Sequence, residues 1–428
     1  MILRKTRLIF GMRWVCCFLA SAGLSHGDDE WRTWESAAGT AIEAKLLSKE
    51  GDRVSLQKKD GKKLVVKLSQ LSEADQKFLT QGDAPTEEFD MIIAEPGVVS
   101  DKIECASDSK WSYHLYLPKS FTPDRKWPVC FIMDPGGGSA GTLNRYLPAA
   151  DRLGIVLAVS TESKNGFADS DLAMMAMLED VYARMPIMKE LAISSGMSGG
   201  SRMAYLMAEM DENVTGVLAC GSGAGVYVKA DNFRQAELRR GTVVCSLIGT
   251  NDFNRREAAK AHKGFDKDFR IIWFPGNHDW AGENVIMRGM ADVYGKVLKE
   301  SKSKDVDALR VDYSKNLFAW AREVEKGEPW VAYHWAKFLS DFPGDPTVKQ
   351  EATSFAATLS KQADVSIALK ADKVVDDFAD KYFSDGDTKS DNTADPSREK
   401  AAEKAAEEFV GLPQAEIIER MGELAPAP

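Results

Sequence analysis

Three short stretches hold residue types that together can attack a carbonyl carbon. Gly196-Met197-Ser198-Gly199-Gly200 sets a serine between glycines in a G-x-S-x-G pattern. Gly249-Thr250-Asn251-Asp252 ends on a carboxylate, and Pro275-Gly276-Asn277-His278-Asp279-Trp280 holds an imidazole. A serine hydroxyl is a weak nucleophile at neutral pH and needs an imidazole to take its proton. The imidazole in turn needs a carboxylate to hold its tautomer and stabilise the imidazolium. Ser198, Asp252 and His278 supply these parts in the order nucleophile, acid, histidine. The chain has five histidines, so the base is soon found. His26 lies in a leader-like segment, His114 in an early strand-like run, His262 in a charged helical stretch and His334 in a tryptophan-rich helix. His278 alone follows directly on a buried strand, IIWF. Asp279 adjoins His278 and would have to turn back onto the same ring, while Asn251 could orient an imidazole only without a charge.

Such a triad has to be positioned by strand ends. Leu191 to Ser194 is a short apolar run that reads as a buried strand, and Met203, Tyr205, Leu206, Met207 and Met210 keep a roughly helical spacing. A serine at that strand-to-helix turn takes a strained backbone conformation that lifts its hydroxyl clear of the sheet. The following helix aims its first N–H groups at any anion forming beside it. Strand-like runs continue on both sides: 111–117, 129–133, 155–159, 214–220, 242–248 and 270–274. Helix-like stretches intervene, notably 169–184 and 202–210. Strand alternating with helix predicts a mostly parallel sheet covered on both faces. Asp252 and His278 each fall just after such a strand, where sites form in these sheets.

SYHLYLPKSF, WPVCFIMDPGG, GMSGGS, GTNDF and FPGNHDW, taken together over residues 103–300, resemble secreted esterases related to polyhydroxyalkanoate depolymerases and feruloyl esterases. The resemblance implies an α/β-hydrolase fold with eight strands. It also implies ester hydrolysis through an acyl-enzyme by Ser198, His278 and Asp252, with no cofactor and no metal. The usual His-Gly after the third strand is here Pro135-Gly136. Proline has no N–H, so an oxyanion donor is expected from Gly136 or Gly137, paired with the N–H of Gly199. The same fold and triad also serve peptidases, and an inactive hydrolase fold acting as a binding or scaffold protein is the reading from another class.

The rest of the 428 residues frames this domain. Residues 1–27 carry Arg4, Lys5, Arg7 and Arg13, then an apolar stretch and small residues, the pattern of a cleaved export signal. Trp31 to Leu79 alternates around Gly51-Asp52 and Asp60-Gly61, three short strands joined by turns, and Ser72 with Asp75 forms a capping box for a short helix. Its R-x-W opening and L-S-x-L-S-x-x-D-Q close resemble the Sla homology domain, an SH3-like barrel. That resemblance, over residues 31–80, implies a binding or attachment role, to a cell envelope or a protein. Lys58, Lys59, Lys62, Lys63 and Lys67 cluster on its hairpin. Residues 81–102 read as a linker, 301–383 as a helical region, 384–397 as a disordered linker and 398–428 as one more helix and tail, all packing or partner-binding material. A net charge of −10 gives no support to nucleic-acid binding, and no segment after the leader is apolar enough to span a bilayer. Cys105, Cys130, Cys220 and Cys245 suit neither a zinc site nor a redox pair, and one disulfide among them is left open. The expected substrate is an ester, including polymeric or polysaccharide-linked ones.

Overall fold

The computed structural model describes residues 31–37, 39–50, 52–81, 91–229, 232–265, 269–384 and 395–425. The leader, 1–27, lies outside the described residues, as do 82–90 and 385–394 of the two linkers. The chain divides into two units, 1–88 and 89–428.

In the first unit, strands β1 (Arg32–Glu35), β2 (Ala41–Glu50), β3 (Arg53–Lys58) and β4 (Lys63–Lys67) form an antiparallel meander in chain order, followed by helix α1 (Glu73–Gln81). One strand more is present than the alternation reveals, because four residues are too few to show a period. A bridge between Ser36 and Leu71 brings the far end back beside β1. Trp34, Ala44, Val54, Leu56, Leu71 and Leu79 fill the small core. Asp75, 3% exposed, explains why an R-x-W opening and a D-Q close go together. Its carboxylate accepts from Arg32 Nη2 and from the Glu35 N–H, each at 2.7 Å, and from the Ser72 hydroxyl at 3.1 Å. The Arg32 guanidinium also lies 3.6 Å from the Phe78 ring centroid. Lys59 pairs with Glu43 at 2.8 Å, and Lys62, Lys63 and Lys67 are exposed.

In the second unit the main strands are β5 (Ile103–Glu104), β6 (Ser112–Tyr116), β7 (Val129–Met133), β8 (Val156–Ser160), β9 (Ala192–Met197) and β10 (Val214–Cys220). A separate hairpin, β11 (Gly225–Lys229) and β12 (Asn232–Gln235), precedes β13 (Val243–Gly249) and β14 (Phe269–Phe274). Across the sheet the order is β14-β13-β10-β9-β7-β8-β6-β5. β6 runs against both β5 and β8, and every other pair is parallel. Eight strands with the third and fourth exchanged and the second reversed make the α/β-hydrolase fold. Strands β7, β8 and β13 are buried along their whole length, as parallel strands covered on both faces are.

The covering helices are α2 (Ala140–Asn144), α3 (Leu147–Leu153), α4 (Ser170–Arg184), α5 (Gly199–Met210), α6 (Arg255–Gly264) and α7 (Glu283–Glu300). On one face Leu153 of α3 and Ile286, Met290 and Val293 of α7 pack with Ile193, Leu218 and Leu247. On the other, Met174 and Leu178 of α4 and Ala204 and Met207 of α5 pack with Phe131, Ala158 and Val217. The unit also begins earlier than residue 103. The Ile92 N–H donates to Arg184 O, and the N–H groups of Gly97 and Ser100 donate to Leu117 O and Leu115 O. Backbone pairing of this kind leaves no hydrophobic period for the sequence to show.

Helices α8 (Asp307–Val324), α9 (Pro329–Leu339), α10 (Pro346–Leu359) and α11 (Ala363–Phe383) form the helical region, and α12 (Pro396–Ala406) and α13 (Pro413–Gly422) the tail. The last stretch is therefore two helices where one is expected, with Pro413 opening the second at N1. Ile248, Trp273 and Ala258 pack into one cluster with Phe378, Phe383, Ile418 and Met421, which seals the sheet edge at β14. The four cysteines described are all free and buried.

Candidate active site

At the end of β9 the chain turns into α5 through Ser198, whose φ of 52° and ψ of −116° make it the only described non-glycine residue at positive φ. Strain of this kind costs about 1–3 kcal/mol and persists only where the surroundings enforce it. They do so here. A Cβ on Gly196 would lie 2.5 Å from the Gly200 carbonyl carbon, and one on Gly200 would lie 2.1 Å from Met133 O. The Ser198 N–H donates to Cys220 O at 2.8 Å. The Ser201 hydroxyl donates to Gly196 O at 2.6 Å and accepts from the Cys220 N–H at 2.9 Å, locking the turn to β10. Between buried Met197 and buried Gly199, Ser198 is partly exposed.

Asp252 and His278 stand on the loops after β13 and β14. Those loops are tied together: the Thr250 N–H donates to Phe274 O and the Asn251 N–H to Gly276 O, each at 2.9 Å. His278 Nδ1 lies 2.9 Å from Asp252 Oδ1, and His278 Nε2 lies 2.8 Å from Ser198 Oγ. Asp252 is wholly buried, and Oδ1 also accepts from the Asn254 N–H at 2.7 Å. Its Oδ2 is buried without a hydrogen-bond partner. Such a carboxylate favours a cation forming on the adjacent ring. The Phe253 ring lies 3.9 Å from the imidazole centroid, tilted by 36°. The alternatives for the acid are engaged elsewhere. Asn251 Nδ2 donates to Glu423 Oε2 at 2.8 Å, and Asp279 Oδ1 accepts from the Trp280 N–H at 2.6 Å.

The glycines expected to bind an oxyanion fall into two groups. Gly136 donates its N–H to Asp134 Oδ1 at 2.8 Å, and Gly137 donates to Asp134 O at 3.0 Å. Both are spent in the turn after β7, which the Asp134 carboxylate also ties to the Thr142 hydroxyl at 3.2 Å. Gly199 opens α5, where the first N–H groups have no partner within the helix. Directly over it sits Asn165, whose Oδ1 would lie 1.8 Å from a Cβ on Gly199. The Asn165 N–H donates to Pro135 O at 2.9 Å, which hangs this side chain from the same turn.

Three neighbours carry no motif in the sequence. Asn165 lies in the loop between β8 and α4, and only its contact with Gly199 singles it out. Gly221, at φ 68°, leaves room for the triad, because a Cβ there would lie 3.2 Å from Asp252 Oδ2 and 3.3 Å from His278 Cε1. Wholly buried Arg255 donates to Thr250 O at 2.5 Å and to Glu423 O at 2.7 Å. The C-terminal tail thus braces the loop that carries Asp252, which is more than packing. The remaining described histidines lie in other surroundings: His114 Nδ1 is 3.0 Å from Ser100 O, His262 packs near Phe269, and His334 Nε2 is 3.1 Å from Arg270 Nη1. Among the described residues no group of three or more His, Cys, Asp or Glu side chains comes together to hold a metal ion. Among them, too, no helix is long and apolar enough to cross a membrane.

Residues 27–84 match the family model of SLA1 homology domain 1, SHD1. The N-terminal module is an SHD1 domain. No curated protein matches the chain. Solved structures similar to it include a fluorophosphonate-binding serine hydrolase of Staphylococcus aureus, 12% identical, covering 47% of this chain and 99% of that one at a TM-score of 0.37. EstE1, a thermostable carboxylesterase cloned from a metagenomic library, is 12% identical and covers 48% and 91% at 0.36. A ferulic acid esterase is 15% identical and covers 45% and 94% at 0.35. Strand order and the geometry around Ser198, not these distant likenesses, define the second unit.

Proposed function

We propose that this chain is an exported serine hydrolase that cleaves carboxylic esters, with the SHD1 domain serving attachment. The observation that carries the reading is the unbroken path Ser198 Oγ, His278 Nε2, His278 Nδ1, Asp252 Oδ1, with steps of 2.8 and 2.9 Å across the ring. With the proton on Nδ1 held by Asp252, Nε2 accepts the Ser198 proton as Oγ attacks the ester carbonyl. The tetrahedral oxyanion takes the Gly199 N–H, and Asn165 Nδ2, not the Oδ1 that lies nearest Gly199, is the second donor in place of Gly136 and Gly137. The imidazolium gives its proton to the departing alkoxide, leaving an acyl-enzyme on Ser198. Water activated by the same imidazole then releases the acid and restores the serine.

The polyhydroxyalkanoate depolymerase-like and feruloyl esterase-like motifs support an ester bond as the substrate. Export rests on the charged, apolar, small-residue pattern of 1–27. The test is a panel of chromogenic esters and peptides run beside Ser198→Ala, with a fluorophosphonate probe reporting the nucleophile. Hydrolysis of esters and labelling, both lost in Ser198→Ala, is the expected result. Cleavage of peptides in preference to esters would replace the esterase by a peptidase, and absence of labelling would leave a binding protein.

A further inference from the structure

Arg145 follows α2 directly and lies half-buried, with its guanidinium 4.7 Å from the centroid of the Trp280 ring. Trp280 is two residues beyond His278, and the next residue in the chain, Tyr146, meets the same ring edge-on at 6.0 Å. Arg145 Nε is buried with no hydrogen-bond partner. Among the described residues no carboxylate lies within ion-pair distance of the guanidinium. The two carboxyls of the neighbouring loops are otherwise engaged, Asp252 by His278 and Asp279 by the Trp280 N–H. Other arginines largely removed from solvent show what is usual in this molecule. Arg202 forks onto Glu257 with two bonds of 2.7 Å, and Arg270 holds Asp292 at 2.9 Å. In a chain of net charge −10, the described residues thus leave this half-buried guanidinium without a carboxylate, against the loop that carries His278. An indole face underneath fixes such a fork and leaves its N–H groups aimed outward for a planar, bidentate acceptor.

We infer that Arg145 is a carboxylate subsite for the leaving group: the preferred substrate is an ester whose alcohol part carries a carboxylate. The side follows from the proposed reaction, on which this inference rests. The departing oxygen takes its proton from His278 Nε2, so the alcohol part lies against the His278–Trp280 loop, where Arg145 stands. The carbonyl oxygen lies toward Gly199 and Asn165, and the acyl substituent on the side away from Trp280.

The test compares 4-acetoxybenzoate with its methyl ester, which differ in the charge on the leaving group, and adds phenyl hemisuccinate, which carries the charge on the acyl group. Each is run with the full chain and with Arg145→Gln and Arg145→Lys, and the ratio between variants cancels differences in intrinsic reactivity. Arg145→Gln should lower kcat/KM for 4-acetoxybenzoate by about tenfold or more, chiefly through KM, as expected for loss of a charge-assisted hydrogen bond. It should leave methyl 4-acetoxybenzoate and phenyl hemisuccinate within about twofold, and Arg145→Lys should recover part of the loss. An equal fall on all three esters would make Arg145 a structural residue, and a loss confined to the hemisuccinate would put the subsite on the acyl side. Either overturns the inference, as does no change at all. Fluorophosphonate labelling of Ser198 in every variant separates these outcomes from a failure of the esterase reading, in which neither labelling nor turnover of any ester would be seen.

Discussion

His278 and His334 each lie near a carboxylate, yet their ring nitrogens meet different partners. His278 sits on a loop beyond a strand end, with Asp252 on one nitrogen, a serine hydroxyl on the other and part of its edge open to solvent. His334 lies in the middle of α9, edge-on to Trp335 at 4.7 Å, with Nε2 accepting from Arg270, whose guanidinium is held by Asp292. It borders a cavity of about 280 Å³ between β14 and the C-terminal helices. Burial first, then the Arg270 guanidinium, push the His334 pKa down to about 3. A carboxylate bonded directly to the ring prepares it to receive a proton, and a cation bonded directly to it keeps the ring neutral. The partner on the ring nitrogen decides the role, not the residue types within reach.

The largest effect that sharpens this contrast is at the serine. Ser198→Ala should lower kcat on a small ester by about 10⁴-fold or more and abolish fluorophosphonate labelling, and substantial residual turnover would move the chemistry elsewhere. Asp252→Asn should come next, costing about 10³–10⁴-fold in kcat with KM little changed, because an amide no longer holds the tautomer or balances the imidazolium. For Asn165→Ala the expected loss is about 10²–10³-fold in kcat, the usual effect of deleting one oxyanion donor. A small change there, with a large one in a variant that disturbs the Asp134 turn, would return the role to Gly136 or Gly137.

Removing residues 1–88 should cost less than about tenfold in kcat/KM on a soluble ester, since the triad, Asn165 and the bracing tail all belong to the second unit. Steady-state kinetics on the shortened protein check this, and a larger loss would make the SHD1 domain part of catalysis.

The smallest effect is expected at the inert histidine. His334→Gln keeps an acceptor for Arg270 and should leave kcat/KM at neutral pH within about twofold. Its signature is in stability. His334 stays neutral in the fold down to a pKa of about 3, while in the unfolded chain an imidazole takes up a proton near pH 6.5. Its contribution is therefore full above about pH 6.5 and is lost as pH falls toward 3. Urea midpoints measured at pH 7.5 and pH 4.5 should drop less for His334→Gln than for the parent, and equal drops would show that this ring does not titrate with unfolding.

The alternation of apolar runs and helical spacing made the parallel sheet legible, because strands buried on both faces must be apolar throughout. The strand-end positions of Ser198, Asp252 and His278 could be read for the same reason, since a polar residue just beyond such a run has to emerge at the sheet's edge. The R-x-W and D-Q signals of the first unit were legible because Arg32 and Asp75 meet in one ion pair. Other features had no such local signature. The commitment of the Gly136 and Gly137 N–H groups to Asp134 depends on which way a turn folds back, and no spacing of residue types encodes that. Asn165, Gly221, Arg255 and Arg145 matter through contacts with residues far away in the chain: Gly199, the Asp252–His278 pair, Glu423 and Trp280. A sequence shows periodicity and the chemistry of each side chain. Which distant groups end within three ångströms of one another, and which charge is left without a partner, is decided when the helices and loops close over the sheet.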